Sequence, residues 1–257
     1  MSLEHLLDDL ATVLPAHRLV RLPADRPVVF VGDTHGDRVA TERVLERFDE
    51  RTHSIVFMGD AVDRGPDSRG NLELILSQML AYPHAVHLLM GNHEAWRLTP
   101  FSPADFWDSL SAEEIDRLAN LLSRLPLAAW HPSGVVAVHG ALPDLPSLDA
   151  MDSIELGSKA WRDVTWGDWD SPEEGSVPIP SPMRPSLDRM EFTRRMAQLG
   201  ARILVRSHQP SSPMFLFGNR CMTLFTSCAY ADGKRHVAVL QADNPINTAQ
   251  DLDLVEL

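Results

Sequence analysis

Five short apolar runs in this chain each end in a polar residue, and this repeated pattern limits the possible folds more than any other feature. The first three runs are residues 28–31, 55–58 and 85–89. Their length and their branched side chains are typical of buried strands. The segments between them have the apolar spacing of amphipathic helices, so the first half of the chain is predicted to alternate strands with helices.

The second half of the chain is predicted to contain mostly strands. Residues 127–130 and 135–138 flank a short turn and indicate a hairpin, and Gly218-Asn219 is typical of a two-residue hairpin loop. Taken together, these patterns predict an α/β fold of mixed α+β character, a β-sandwich of two mixed sheets flanked by helices. We expect a single domain over residues 1–257.

Local signals predict where individual helices and loops lie. Leu6, Leu7 and Leu10 share one face of an opening amphipathic helix. Ser102-Pro103 is typical of a helix start, and Ser111 with an acid three residues later has capping-box spacing. Residues 141–186 show little periodicity, so we expect a long ordered loop that either shapes a substrate groove or only connects elements.

The polar residues that follow the five runs form a set suited to metal binding. Taken singly, a polar residue after a strand is usually a turn residue or a structural side chain. Five in succession predict one shared site, because a rigid sheet can hold ligands in register at its strand ends. The residues are Asp33 with His35, Asp60, Asn92 with His93, His139, and His208.

The ligand types also restrict the metal. Carboxylate, amide oxygen and imidazole together suit manganese, iron or zinc, whereas sites made only of oxygen suit calcium or magnesium. A single carboxylate can bridge two ions about 3.5–4 Å apart, as in hydrolases that attack phosphorus. The sequence therefore predicts two divalent metal ions, most naturally manganese, with iron or zinc as alternatives.

Composition excludes several other classes of function. The chain has 23 Lys and Arg against 36 Asp and Glu, a net charge of −13, so nucleic acid is a poor partner. No stretch approaches the roughly 18 apolar residues of a membrane span. The first residues lack the features of a secretory signal, which favours a cytoplasmic location. Cys221 and Cys228 are expected to be small buried side chains rather than a disulfide.

The same polar segments resemble a known family. Residues 32–36 (GDTHG), 59–65 (GDAVDRG) and 91–94 (GNHE) resemble the three signature blocks of the PPP serine/threonine phosphatases, within the calcineurin-like metallophosphoesterases. Residues 138–140 and 206–209 resemble the two later histidine blocks of that family. The blocks occur in the family's order over about residues 28–230. This resemblance implies the four-layer metallophosphoesterase fold and a prokaryotic-type catalytic domain without extensions.

The resemblance also implies a role for each metal-capable residue. Asp33 and His35 would hold the first ion, and Asp60 would bridge the two ions. The second ion would be held by Asn92, His139 and His208.

Three further residues would act on the substrate. His93 would protonate the leaving-group oxygen, Asp63 would orient His93, and Arg64 would clamp the phosphoryl oxygens. The alternative for Asp63 and Arg64 is an ordinary ion pair or turn. We expect Glu94 to be a structural partner near the site rather than a catalyst.

The resemblance is weaker toward the C-terminus. The second phosphate-binding arginine is assigned to Arg184, and Arg162, Arg189 and Arg194 compete for that role. Tyr230 matches a tyrosine near the family's active site, with a core or surface position as the alternative. Substrate binding is thus assigned to Arg64, Asn92, Arg184 and Tyr230.

These assignments predict a metal-dependent phosphatase that hydrolyses phosphomonoesters by attack of a hydroxide bridging the two metals. The expected substrates are phosphoserine and phosphothreonine in proteins, or phosphorylated small molecules. One alternative is a diadenosine polyphosphate hydrolase with the same metal site, although residues 206–209 (RSHQ) resemble the protein phosphatase form. A second alternative is a scaffold of the same fold that has lost catalysis.

Overall fold

The computed structural model describes residues 3–14, 17–230, 235–242 and 244–257, with the side chains of the first helix described from Leu6 onward. The α-helices are α1 Leu3–Val13, α2 Arg38–Arg47, α3 Ser68–Ala81, α4 Asp105–Asp108, α5 Ala112–Leu122, α6 Lys159–Trp166 and α7 Arg189–Gln198. The strands are β1 Leu19–Arg21, β2 Val28–Val31, β3 Ser54–Phe57, β4 Val86–Leu88, β5 Ala128–His131, β6 Val135–Val138, β7 Asp168–Asp170, β8 Ser186–Asp188, β9 Ile203–Arg206, β10 Phe215–Leu216, β11 Cys221–Thr223, β12 His236–Leu240 and β13 Asp253–Glu256. Short 3₁₀ helices span Leu148–Ser153, Pro172–Glu174 and Ala249–Asp251.

Two mixed sheets make up the centre of the molecule. One has five strands in the order β13-β12-β2-β3-β4, and β2, β3 and β4 run parallel. The other has six strands in the order β1-β5-β6-β9-β11-β10, and its neighbours β6 and β9 are parallel. β7 and β8 form a separate two-stranded ribbon. The predicted fold class, two mixed sheets flanked by helices, is confirmed.

The alternation of side chains along β2 explains why this strand is apolar on both faces. Val28 and Phe30 pack in a cluster with residues of the six-stranded sheet, such as Val205. Val29 and Val31 belong to a larger cluster that includes the apolar faces of α2 and α3. A strand covered on both faces must be continuously apolar, which is the pattern that the sequence shows.

The second helix start was predicted correctly and the first was not. Ser111 caps α5 in a complete capping box with Glu114. By contrast, α4 begins at Asp105 rather than at Ser102-Pro103, with Ala104 at its N-cap and no side-chain cap of its own. The backbone N–H of Phe106 instead donates to the Asp63 carboxylate at 2.8 Å. The cap therefore comes from 43 residues away, beyond the reach of a local signal.

The expectation of a long loop over residues 141–186 was wrong in part. This segment contains α6, capped by the Ser158 side chain, and the β7–β8 ribbon. The strands β1 and β13 were also not predicted. All four of these strands have three or four residues, too few for a clear alternation pattern.

Two smaller expectations also need correction. The β10–β11 hairpin exists, but Leu216 pairs with Cys221, so its loop has four residues rather than two. The Glu174 carboxylate accepts the backbone N–H of Phe217 at 2.9 Å and fixes this longer loop. Cys221 is buried as predicted, whereas Cys228 is exposed in the loop before β12. Among the described residues, no helix is long and apolar enough to cross a membrane.

Candidate metal centre and active site

The candidate site lies where parallel strands of both sheets end. Asp33 and His35 follow β2, Asp60 follows β3, and Asn92 lies four residues beyond β4. From the six-stranded sheet, the residues after β6 and β9 bring in the remaining two imidazoles, His139 and His208. All six predicted metal ligands are buried, each with 4% exposure or less. The structure thus brings together the residues that the five apolar runs and the family resemblance predicted.

The backbone at this site adopts unusual conformations. Positive φ angles occur at seven non-glycine residues of the described chain, and five of these belong to the site: His35, Asp60, Asp63, Arg64 and His208. Left-handed backbone is unfavourable for residues with a side chain and concentrates at functional sites. The loops therefore maintain conformations that their own sequence does not favour, which implies that the surrounding contacts stabilise them.

Asp60 lies at the centre of the cluster. Its Oδ2 atom is 3.3 Å from His139 Nε2, 3.7 Å from His35 Nε2 and 3.8 Å from His93 Nε2. Two groups of three potential ligand atoms, each within 4.8 Å of one another, share this residue: His35, Asp60 and His93 in one, and Asp60, His139 and His208 in the other. A carboxylate common to both groups is in the position required to bridge two cations.

Backbone carbonyls orient two of the imidazoles. His35 Nδ1 lies 2.8 Å from the carbonyl oxygen of Val62, and His139 Nδ1 lies 2.9 Å from that of Met58. An N–H donated to a carbonyl at Nδ1 leaves Nε2 as a lone-pair ligand, and such contacts fix the ring orientation in metal sites. Both Nε2 atoms face Asp60, so these two rings are oriented for coordination.

The polar atoms without partners fit two divalent cations. Among the described residues, Asp33 Oδ1, His35 Nε2 and His208 Nε2 are buried and have no hydrogen-bond partner. Asn92 Oδ1 lies 3.2 Å from His139 Nε2, and His208 Nδ1 lies 3.1 Å from the same atom. Buried polar atoms without partners are costly, and several of them converging on one point are what a cation site requires. Asp33 lies beside the two groups of three, with Oδ1 3.6 Å from His139 Nδ1.

Burial and charge shift the pKa values of the cluster in opposite directions. Burial opposes the charged form of His139, but the Asp60 and Asp33 carboxylates outweigh it and raise the pKa of that imidazole to about 9. Burial also opposes the charged form of Asp60, yet the His139 and His93 rings hold its pKa well below the ordinary value. Burial lowers the pKa values of His35 and His208, so both are neutral at pH 7, the form that binds metals.

His93 is held by the residue predicted to orient it. Its Nδ1 atom lies 2.6 Å from Asp63 Oδ2, and both side chains are almost fully buried. The second Asp63 oxygen accepts the Phe106 N–H, so the carboxylate is committed to these two contacts rather than to Arg64. The exposed Arg64 reaches His93 Nε2 with one guanidinium nitrogen at 3.5 Å. The predicted proton donor, the carboxylate that contacts it and the Arg64 cation therefore meet at one edge of the cluster.

The structure distinguishes between the four candidate arginines of the C-terminal half. Arg184 forms a two-pronged contact with the buried Asp168, at 2.7 and 2.8 Å, and also donates to the His208 carbonyl at 3.3 Å. Arg189 pairs with the exposed Glu173 and the half-buried Glu174, and Arg194 pairs with Asp144 on the surface. Arg162 lies on α6. Of these, Arg184 is the one in contact with a predicted metal ligand.

Tyr230 contacts the cluster through Asp33 and His35. Its hydroxyl donates to Asp33 Oδ2 at 2.8 Å. Its ring centroid is 5.7 Å from that of His35 and 4.5 Å from that of Phe225. The expected position near the site, rather than elsewhere in the core or on the surface, is the one observed.

Comparison with known sequences adds independent information. Residues 26–212 match the family described as calcineurin-like phosphoesterase. The chain belongs to this family. The superfamily inferred from the five motif blocks is therefore confirmed.

Named relatives of this calcineurin-like phosphoesterase are protein phosphatases. A probable serine/threonine-protein phosphatase of Encephalitozoon cuniculi is 27% identical over 248 residues, covering 91% of this chain and 54% of that protein. The catalytic subunit of serine/threonine-protein phosphatase 6 of Drosophila melanogaster is 31% identical over 157 residues, covering 57% of this chain and 52% of that protein. The chain thus spans about half the length of these curated relatives.

Solved structures share the fold of the phosphoesterase. A serine/threonine phosphatase of Saccharomyces cerevisiae, described as similar to human phosphatase PP5, has a TM-score of 0.79 at 22% identity and covers 100% of this chain and 90% of its own. A putative diadenosine tetraphosphatase has a TM-score of 0.59 at 21% identity, with 93% and 98% covered. At these identities the likeness concerns the fold.

Glu94 links the loops that follow β3 and β4 at the phosphoesterase site. Its carboxylate accepts backbone N–H groups from Asp60 at 2.7 Å, Ala61 at 2.8 Å and Gly91 at 2.9 Å. Burial, together with the nearby Asp60 charge, raises the pKa of this carboxyl to about 7. A Cβ on Gly91 would lie 2.3 Å from Asp60 Oδ1, so only glycine permits this close approach. The contacts hold the β3 and β4 ends in register.

Sequence reasoning missed an arc of aromatic rings beside the phosphoesterase site. The Phe101 ring lies 4.6 Å from that of His93 and 5.4 Å from that of Trp166, which in turn lies 6.1 Å from His208. Trp96 fixes Phe101 by donating its indole N–H to the Phe101 carbonyl at 3.0 Å. Phe101 follows a proline in an irregular segment, so no periodic pattern marked it.

Proposed function

We propose that this phosphoesterase domain is a metal-dependent phosphatase of phosphomonoesters, acting most naturally on phosphoserine and phosphothreonine in proteins. The observation that carries the proposal is the pair of ligand groups that share Asp60. The names of the relatives support the substrate class. The positions of His93 and Arg184 beside the cluster support a phosphoryl-transfer reaction.

The chain's own residues would divide the chemistry among them. Divalent ions at such a site supply a water nucleophile with a lowered pKa. His93 would donate a proton from Nε2 to the leaving-group oxygen, since its Nδ1 is engaged by Asp63. Arg64 and Arg184 would hold the phosphoryl oxygens through planar forks of donors. Asp63 would stabilise the protonated form of His93 before the transfer.

The metal ligands are proposed as the family resemblance implies. Asp33 and His35 would hold the first ion, Asp60 would bridge, and Asn92, His139 and His208 would hold the second. Manganese is the proposed metal, since the mixed oxygen and nitrogen ligands suit it, with iron or zinc as alternatives. A cytoplasmic location and a single catalytic domain remain predictions from the sequence.

The experiment that tests this proposal compares two substrates on one metal-loaded protein. Protein stripped of metal and reloaded with Mn²⁺ is assayed with a phosphothreonine peptide and with diadenosine tetraphosphate. We expect metal-dependent phosphate release from the peptide and little cleavage of the dinucleotide. The opposite preference would reassign the chain to the nucleotide hydrolases, and activity on neither substrate would favour the non-catalytic scaffold.

A variant of the proton donor links that activity to the proposed geometry. His93→Asn is expected to lower kcat by about 10²–10⁴-fold, because a general acid contributes that much. His84→Asn, at an exposed position before β4, is the matched control and should retain full activity. Unchanged turnover in His93→Asn would remove His93 from the proposed mechanism.

A further inference from the structure

Asp37 makes contacts that a helix cap does not require. It lies two residues beyond His35, has 1% exposure, and accepts the Ala40 N–H at 3.2 Å as the N-cap of α2. The same carboxylate also accepts the backbone N–H of Cys228 at 2.7 Å, from 191 residues away. It further accepts Arg235 Nε at 2.6 Å and a second guanidinium nitrogen at 3.3 Å. One buried carboxylate therefore engages two donors that are distant in the sequence.

The two distant donors lie on either side of Tyr230. Cys228 precedes Tyr230 by two residues, and Arg235 is the next residue of this segment that the structure describes. The Tyr230 hydroxyl donates to Asp33 Oδ2 at 2.8 Å. Asp37 therefore holds both flanks of the segment whose tyrosine contacts a predicted metal ligand.

The contact between Asp37 and Arg235 has the features of a strong interaction. The guanidinium donates two N–H groups to one carboxylate, which gives both energy and direction. The side-chain exposures are 2% for Asp37 and 22% for Arg235, so water competes little with the pair. The backbone of Arg235 also forms a β-bridge with Thr226.

The Tyr230 contact determines which Asp33 oxygen is free. Tyr230 occupies Oδ2, and the backbone N–H of His208 also approaches Oδ2 at 3.3 Å. Oδ1 is buried without a partner and faces His139. The two contacts to Oδ2, from Tyr230 and from the His208 backbone, therefore fix the orientation of the Asp33 carboxylate beside the ligand cluster.

We propose that Asp37 and Arg235 form a positioning pair, which places Tyr230 on Asp33 and so orients the Asp33 carboxylate for metal binding. The inference rests on the proposed metal centre and extends it to residues outside the motif blocks. It predicts that Arg235 influences metal affinity through Tyr230 rather than by contact with the metal.

A double-mutant cycle tests this coupling. Mn²⁺ affinity is measured by titration calorimetry on the full chain for the wild type, Tyr230→Phe, Arg235→Met and the double variant. We expect each single variant to bind Mn²⁺ about tenfold more weakly, the loss typical of one hydrogen bond to a charged group. We expect the double variant to be no weaker than either single variant, because Arg235 acts through the tyrosine hydroxyl.

Two further variants separate positioning from general damage. Arg235→Lys keeps the charge but not the two-pronged contact, and we expect it to recover only part of the lost affinity. Arg51→Met removes a two-pronged Arg–Asp contact in the turn between α2 and β3, and it should bind Mn²⁺ as the wild type does. If Arg235→Met does not fold, the same cycle is run with Arg235→Lys, with a smaller expected loss.

The affinity measurement does not depend on the reaction. Additive losses in the double variant, about a hundredfold in total, would overturn the proposal, as would unchanged affinity in Tyr230→Phe. Failure of the proposed function has a different signature, since the wild type would then bind Mn²⁺ without releasing phosphate. The cycle would still decide the positioning role in that case.

Discussion

The metal centre and the groove between the edge strands β1 and β4 both contain histidines, and the comparison shows what burial does to an imidazole. At the metal centre, the Asp60 and Asp33 carboxylates overcome burial and raise the pKa of His139 to about 9. In the groove, a cavity of about 660 Å³ lined by α1, α3 and both edge strands, burial lowers the pKa of His87 to about 4.

The pKa values of His139 and His87 differ because the two regions contain different numbers of nearby carboxylates. Asp33 and Asp60 are both buried within the metal centre, beside the imidazoles. The described lining of the groove contributes three histidines but a single carboxylate, Asp25. Burial favours the neutral imidazole at His87 and also at His35 and His208, whereas His139, which lies beside both Asp33 and Asp60, is shifted toward the charged form. The predictions below alter one region at a time.

The largest effect is expected when the shared carboxylate is removed. Asp60→Asn should lower Mn²⁺ occupancy and reduce phosphatase activity by about 10³-fold, because two-metal sites contribute several kcal/mol to phosphoryl transfer. Metal content after gel filtration and kcat together measure the change. Asp25→Asn, in the groove, is the control and should change neither. An Asp60→Asn variant that retained both ions at full affinity would contradict the bridging role.

Arg184 is expected to have the next largest effect. Arg184→Met should lower kcat/KM for the phosphopeptide by about 10²-fold, since it would remove the proposed charge-assisted hydrogen bonds to the phosphoryl group and leave Asp168 buried without its partner. Arg189→Met, which breaks surface pairs with Glu173 and Glu174, is the matched control. Equal kinetics in the two variants would exclude Arg184 from substrate binding.

A substitution of Glu94 tests whether its hydrogen bonds between the loops stabilise the site. In Glu94→Gln, the amide keeps one acceptor oxygen and cannot satisfy the three N–H groups that now share the carboxylate. We expect the free energy of unfolding to fall by about 2 kcal/mol, which urea denaturation measures. Glu46→Gln, exposed on α2, should leave stability unchanged. A Glu94→Gln variant as stable as that control would show that the loops hold without the carboxylate.

The sequence could predict those features of the molecule that depend on residues close together in the chain. A buried strand and the polar residue that follows it are adjacent, so residues such as Asp33 and Asp60 could be assigned together with their strands. Parallel strand ends meet at one edge of a sheet, which brought distant blocks to one site. Local chemistry also predicted the capping box at Ser111.

The parts that could not be predicted depend on partners far apart in sequence. The start of α4 is set by Asp63, 43 residues earlier, so the serine signal at Ser102 was misleading. The positioning pair of Asp37 and Arg235 joins residues that are 198 positions apart, and neither residue belongs to a recognised motif. Positive φ angles at the site are also invisible in sequence, because tertiary contacts impose them on residues that disfavour them.

The smallest expected effect concerns His87 and the groove. Its pKa is about 4 in the folded chain and near 6.5 when unfolded, so below pH 6.5 the unfolded chain binds more protons. Stability should therefore fall as pH decreases from about 6.5 toward 4, by about 1 kcal/mol after allowance for the partial exposure of His87. His87→Gln should reduce this dependence, measured by urea unfolding at pH 5 and pH 7 in the presence of a chelator.

The chelator matters because it removes any contribution of bound metal from the measurement. The control is His53→Gln, in the turn before β3, which should retain the wild-type difference between the two pH values. If His87→Gln also retained that difference, burial of His87 would not be the cause of the pH dependence, and the proposed contrast between the groove and the metal centre would be wrong. If the difference shrank as expected, the imidazole in the groove would be a neutral structural side chain, in contrast to His139 beside its two buried carboxylates.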